Sequence, residues 1–487
     1  MKYQLLAAAV LALGGVPGAQ AQTAAPPAPY QSLYNSLAGQ MGPFQTAAVL
    51  LPNYSTVFAA ELINANSNRG PALLAGSYTG VLMELDSLRA LGVRAVKVAI
   101  HFPLLYPGYY SNPATYQQYV NFYTQLANDV RARGLKLIVE TGIVLNEPGI
   151  TTFNCAPFYN SLTLSQYENG RMQVAVEIAR QIRPDYLSVL NEPDTEAAQS
   201  GKPQLGTPAG SAAMLNVILN GLKQAGISGV PIGAGVGTWL PAYDTFVRVY
   251  AAMPVQFIDM HVFPVNHNYL ARVSNIAAIA HAAGKEAAVS QAWLDKVSDT
   301  ELGKVSFAQT ASRDPFSFWS PLDVDFLKTM VGFAGSNNLA FFSPFYSLYF
   351  HSYLDYATAR SLSASQLMGQ LYSGVSQSIS GGQYTTTGRQ YSRFILPAAD
   401  TTCPSIPNGL AAATPTATIV HLTWNPSNDN VGVAGYAVYR NGILLGATST
   451  TSYFDTSRPR GAKIAYQVVA YDVAGNLSAP EGPVSVK

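Results

Sequence analysis

Between about residue 50 and residue 395, short apolar runs alternate with longer stretches in which apolar positions recur every three or four residues. The first pattern is that of a strand buried on both faces, the second that of a helix with one apolar stripe. Eight strands are predicted, at 59–64, 95–100, 135–140, 186–190, 230–234, 257–262, 286–290 and 339–342. Several follow a helix that ends in glycine, as in LRALGVRAVKVAI and VRARGLKLIVETG. There Gly92 and Gly134 supply the residue that closes a helix before a strand begins. Strand–helix alternation calls for a parallel sheet with crossover helices, and eight such units fit a closed (β/α)8 barrel with insertions better than an open sheet. No glycine-rich phosphate loop follows the first strand, which argues against a nucleotide-binding sheet.

Past a cluster of Pro and Thr at 397–407 the period changes to two. HLTW (421–424), GYAVYRNG (435–442) and IAYQVVAYD (464–472) alternate along short strands, and Asn441-Gly442 is a hairpin signal. This segment, 408–487, resembles a fibronectin type III domain, an immunoglobulin-like all-β sandwich. The resemblance rests on Trp424 as the core tryptophan, Tyr466 at the tyrosine corner and the ending YDVAGNLSAP, which is similar to modules of secreted bacterial hydrolases. It implies a spacer or a weak surface-binding role.

The N-terminus reads as a secretory signal over 1–21. Lys2 precedes a short apolar run at 5–13, and Ala19-Gln20-Ala21 is a small-x-small cleavage site. The run is too short to span a bilayer, so a secreted or periplasmic protein without a membrane anchor is expected. Residues 22–48 read as a Pro/Ala-rich spacer leading into the barrel at 49–396, with a linker at 397–407. In an oxidising compartment the two cysteines, Cys155 and Cys403, are a candidate disulfide, the alternative being two unpaired thiols.

Composition narrows the partners. Charged residues make up 11% of the chain, against about 25% in ordinary domains. The formal net charge is +1, and removal of Lys2 with the signal balances it. No basic surface is available for a nucleic acid backbone or an acidic membrane. The polar uncharged surface, rich in Tyr and Gly, suits a neutral oligo- or polysaccharide bound by a monomer.

In a (β/α)8 barrel the chemistry lies at the C-terminal ends of the strands. Here those ends carry Asn64, His101, Glu140, Asn191 with Glu192, His261, Gln291 with Trp293, and Ser343. Asn191-Glu192-Pro193 directly follows the fourth strand. At this point the chain resembles the clan of retaining (β/α)8-barrel glycoside hydrolases, over about residues 55–350. The resemblance implies that Glu192 is the general acid/base, that Asn191 contacts a sugar hydroxyl, and that His261, in FIDMH on strand six, lies near the site. Lys97, inside strand two, sits where the clan often has a basic anchor.

The clan places a nucleophilic glutamate at the end of strand seven. This chain has Gln291 there, in GKEAAVSQAWLDK. An amide cannot ionise, form the glycosyl ester or offset an oxocarbenium charge. Glu286 lies an odd number of residues earlier and is expected to face away towards the barrel bottom. Asp295 reaches the mouth only if its loop folds back. Glu140, at the end of strand three, is the better substitute and would suit an inverting attack by water. A loss of activity, a deliberate Glu→Gln exchange and a branch with relocated roles all remain open at the level of sequence. Tyr106, Tyr109, Tyr110, Trp239, Trp293, Trp319 and Tyr346 follow strands and are candidates for stacking on sugar rings. No cofactor is called for: metal-ligand spacing and a G-x-S-x-G elbow are both missing from the sequence.

Overall fold

The computed structural model describes residues 25–47, 56–145, 153–396, 401–430, 433–448, 450–472 and 476–487. The signal segment lies outside them. Eight parallel strands close into a barrel in chain order: β1 Val57–Glu61, β2 Ala95–Ala99, β3 Lys136–Glu140, β4 Tyr186–Ser188, β5 Ile232–Gly237, β6 Phe257–Val262, β7 Glu286–Ala292 and β8 Phe341–Pro344. The last strand pairs with the first, Val57 against Phe341. Gly92 and Gly134 have φ of 88° and 70°, the left-handed helix ends expected before β2 and β3. The predicted strand for β5 begins two residues early and that for β8 ends two residues early. Asn64 falls beyond β1, in a 3-10 turn.

The floor of the barrel is apolar. Tyr186, Phe257 and Phe341 form a triangle of rings with centroids 4.9 to 5.8 Å apart. Around it pack Val57, Ala59, Ala95, Ile138 and Ala288, each from an inward position of its strand. Burying each large side chain contributes about 1.5–3 kcal/mol. β5 carries glycine at its inward positions. A Cβ at Gly233 would lie 2.1 Å from the Phe257 ring, and one at Gly237 2.3 Å from the Trp239 ring.

Two expectations need correction. From Ala28 the supposed spacer is a helix, Ala28–Ala47. Its Leu37 and Met41 are buried, and Tyr34 stacks on Trp319 with centroids 5.7 Å apart. Pro29 sits in the first turn, where its missing N–H breaks no helical bond. The candidate disulfide is not formed: Cys155 is a buried free thiol near the Tyr109 hydroxyl, and Cys403 is a free thiol exposed in the linker.

The C-terminal residues form two antiparallel sheets. One contains β9 Asn408–Thr416, β10 Ile419–Asn425 and β13 Ser452–Asp455. The other contains β11 Val433–Arg440, β12 Ile443–Thr448, β14 Ile464–Asp472 and β15 Glu481–Val486. Trp424 is buried edge-on to Tyr436, and the Tyr466 hydroxyl donates to Asp455 Oδ2 at 2.6 Å, linking the two sheets. Asn441 and Gly442 both have positive φ, as a tight hairpin between β11 and β12 requires.

The rim of the barrel is braced by a buried ion pair. Arg171, on the helix Leu164–Glu177, places Nε 2.6 Å from Glu196 Oε1. Its Nη2 donates to the carbonyls of Thr141 and Val189, just past β3 and β4, at 2.8 and 2.9 Å. Arg171→Met leaves Glu196 buried without a countercharge, and a destabilisation of about 3–5 kcal/mol is expected in equilibrium urea unfolding. His351, beyond β8, is buried against Tyr384, and burial pushes its imidazole down to about 4. Its contribution is present above the unfolded value of about 6.5 and is lost as pH falls through about 4. His351→Phe is expected to narrow the difference in unfolding free energy between pH 7 and pH 4 by up to about 3 kcal/mol.

Candidate active site

Above the aromatic floor the inward positions become polar. Lys97 on β2 is fully buried between Glu61 on β1 at 3.3 Å and Glu140 on β3 at 3.0 Å. Burial alone would raise the Glu140 carboxyl. Lys97, then His261 and His101, reverse this and hold it ionised, well below the usual carboxylate range. Glu61 is only partly offset by the same lysine, and burial pushes it up to about 7. Lys97 is thus the anchor that its position suggested, and the charge it anchors is chiefly that of Glu140.

The inward placement of Gln291 depends on an irregularity in β7. Phe257 pairs with Glu286 and Met260 with Val289, but His261 pairs with Gln291, so Ser290 is an extra residue in the ladder. On a regular strand Gln291 would face away from the interior, because Ala288, three residues earlier, faces in. The bulge turns Gln291 inward alongside His261. Gln291 Nε2 then donates to Glu140 Oε1. Glu286 stays exposed at the barrel bottom.

Glu192, four residues beyond the end of β4, occupies the N-cap position of the short helix Pro193–Ser200. It is the more accessible carboxylate, with a side chain 21% exposed. Its Oε1 lies 2.6 Å from His261 Nδ1. Burial opposes a charge on His261, but hydrogen bonds to Glu140 and Glu192 outweigh it and push the imidazole up to about 10. His261 is therefore an imidazolium between two carboxylates. Asn191 Nδ2 donates to Asp259 Oδ2 at 2.7 Å, while its Oδ1 is buried with no protein partner.

These groups open into a mouth of about 530 Å³, including its solvent-open part. Asn66, Asn68, His101, Glu140, Asn191, Glu192, His261, Gln291 and Phe345 are among its walls. His101 Nδ1 accepts the Gly142 N–H at 2.9 Å, which leaves Nε2 to carry the ring proton. Burial pushes His101 down to about 4, so it is neutral at pH 7. Among the described residues no group of three His, Cys, Asp or Glu side chains is placed to hold a metal ion.

Several expected residues lie elsewhere. Trp293 is 1% exposed and stacks on Tyr349 under Lys296, with no face left for a sugar. The chain beyond β7 runs beside the end of β6, with Trp293 N–H bonded to Val262 O, and that course carries the ring into the core. Tyr106 packs with Phe102 and Phe158 in the wall, and Trp319 is fully buried. Trp239 is half-buried at the rim, where its Nε1 donates to Asp194 Oδ2 at 2.8 Å. Tyr109 and Tyr110 line a separate hollow with Tyr119 and Phe153. Asn66, Asn68, Asp259, Ser290 and Phe345 escaped the reading of strand ends. The Asp-x-His spacing on β6 was the one signal available, since residues two apart on a strand share a face.

No protein-family profile matches the chain. Among curated proteins, chitinase Chi52 of Paenibacillus xylanexedens is 50% identical over 90 residues, 18% of this chain and 17% of the chitinase. Exoglucanase B of Cellulomonas fimi is 42% identical over 87 residues, 18% of this chain and 8% of the exoglucanase. Both matches are to fibronectin type III-like regions, and the chain spans less than a fifth of either relative. Among solved structures, GH5_18 from Streptomyces cattleya in complex with GlcNAc overlaps 73% of this chain and 84% of its own, with TM-score 0.45 and 13% identity. The exo-beta-1,4-mannosidase Op5Man5 from Opitutaceae bacterium strain TAV5 overlaps 72% and 61%, with TM-score 0.45 and 12% identity. At these scores the overlaps carry no argument about chemistry. The strand ladder itself establishes a closed eight-stranded parallel barrel, joined to a fibronectin type III-like sandwich.

Proposed function

We propose that the mouth binds a neutral β-linked glycan and hydrolyses a glycosidic bond, with Glu192 transferring the proton and Glu140 supplying the fixed negative charge. The observation that carries this reading is the hydrogen bond from Gln291 to Glu140. The acid missing from position 291 is replaced by a carboxylate from β3, held against the very amide that took its place. Glu140 is 1% exposed and surrounded by donors, so it suits stabilisation of an oxocarbenium-like transition state better than covalent attack. Glu192, with the proton shared on its bond to His261, protonates the leaving oxygen. Water then adds to the anomeric carbon, and its proton returns to Glu192. The buried, unpartnered Asn191 Oδ1 is an acceptor suited to a sugar hydroxyl, and neutral His101 with Asn66 and Asn68 adds uncharged donors and acceptors. Export, read from residues 1–21, belongs to the same proposal.

A second reading, a glycan-binding protein without turnover, is favoured by Gln291 itself. The two readings part on Gln291→Glu. With Glu140 as the working charge, a new carboxylate beside it repels it, and turnover of β-glucan, mannan, xylan or galactan panels is expected to fall. Turnover that appears only in Gln291→Glu defeats the hydrolase reading. Glu192→Gln and Glu140→Gln are each expected to lower kcat by about 100-fold or more with glycan binding retained. The pH profile of kcat is expected to stay level from neutral pH and to fall as pH rises through about 10, where His261 loses its proton.

A further inference from the structure

The bulge in β7 leaves Ser290 without a partner on β6. Its Oγ lies 2.6 Å from Asp259 Oδ2, 3.0 Å from His261 Nε2, 3.3 Å from Glu140 Oε2 and 3.4 Å from Asn191 Nδ2. A hydroxyl has one proton to donate. The shortest of these contacts is to Asp259 Oδ2, which also accepts from Asn191 Nδ2, while Asp259 Oδ1 accepts the backbone N–H of Met260 and of Ser290, both at 2.9 Å. With its proton on Asp259, Ser290 turns its lone pairs towards His261 Nε2.

The protonation of Nε2 is contested by two neighbours. Asn191 Nδ2, 3.0 Å away, is a donor and favours a bare nitrogen, whereas Ser290 Oγ is an acceptor and favours N–H. Glu140 Oε2 is farther, at 3.5 Å. The remaining titratable groups nearby are Glu192 on the Nδ1 side, and Lys97 and the neutral His101 beyond Glu140. We propose that Asp259 and Ser290 are positioning residues in one relay, Asp259–Ser290–His261–Glu192, which keeps both ring nitrogens of His261 protonated and so maintains the Nδ1 proton that Glu192 shares. The catalytic meaning of the relay rests on the hydrolase reading above. The protonation state of His261 does not, since it belongs to the resting protein.

The test is ¹⁵N-histidine NMR titration of the full chain. In the native protein both His261 nitrogens are expected to give protonated-ring shifts at pH 8, and a single neutral tautomer there overturns the relay. Ser290→Ala is expected to lower the proton affinity of His261 by about tenfold or more, and Ser290→Thr to restore it. Asp259→Asn approaches the relay from its other end and is expected to give the same loss. An unchanged His261 titration in either folded variant overturns the proposal. Where a glycan is turned over, the alkaline limb of kcat is expected to move down with the titration. Turnover with an unmoved limb defeats the relay and leaves the hydrolase reading standing, whereas a moved titration with no turnover of any glycan does the reverse.

Discussion

Glu140 is a charge buried inside the barrel, and the upper half of the interior is organised around neutralising it. An isolated carboxylate at that depth would be driven to protonate. Lys97 prevents this from one side, while His261 and the Gln291 amide complete the surround. Lys97 in turn also faces Glu61, so two acids share one ammonium and a proton remains near neutrality on the less favoured of the two. Removing any one of these groups leaves another uncompensated, which makes the cluster a unit rather than a set of separate pairs.

That unit determines what the mouth can do. Its negative charge is deep and fixed, and the His261 imidazole lies between it and Glu192 at the rim. Burial separates the two acids: Glu140, saturated with donors, is held ionised, while Glu192 is the more accessible of the pair. The bulge in β7 makes the arrangement possible, because it brings Ser290 and Gln291 to the interior from consecutive positions. A regular strand offers only every second residue.

The brace below the rim serves the same geometry. Arg171 ties the backbone just past β3 to that just past β4, the two strands that present Glu140 and Glu192. The apolar floor closes the barrel beneath the charges, and three aromatic rings fill a space to which glycine-lined β5 contributes no side chain. The low charge content of the chain reads differently in this light. Few acids are present, and several of them, Glu61, Glu140, Glu196 and Asp259, are buried in or beside the site.

Local pattern determined the eight strands, the helix ends at Gly92 and Gly134, and the appended sandwich with Trp424 and Tyr466. All of these depend on short-range periodicity and turn chemistry, which the chain carries in itself. The placement of Glu192 after β4 and of Gln291 late in β7 was legible for the same reason. Tertiary structure decided the rest. Which way Gln291 faces depends on how β7 pairs with β6, and no periodicity within β7 announces the slipped register. The burial of Trp293 depends on the path taken beyond β7, and the helix Ala28–Ala47 is held by its contacts with Trp319 and its neighbours. The two cysteines are free thiols, one buried and one exposed in the linker, a placement that their even number does not reveal. Above all, the sequence showed an amide where an acid was expected, and only the folded barrel brought Glu140 from another strand to the same place.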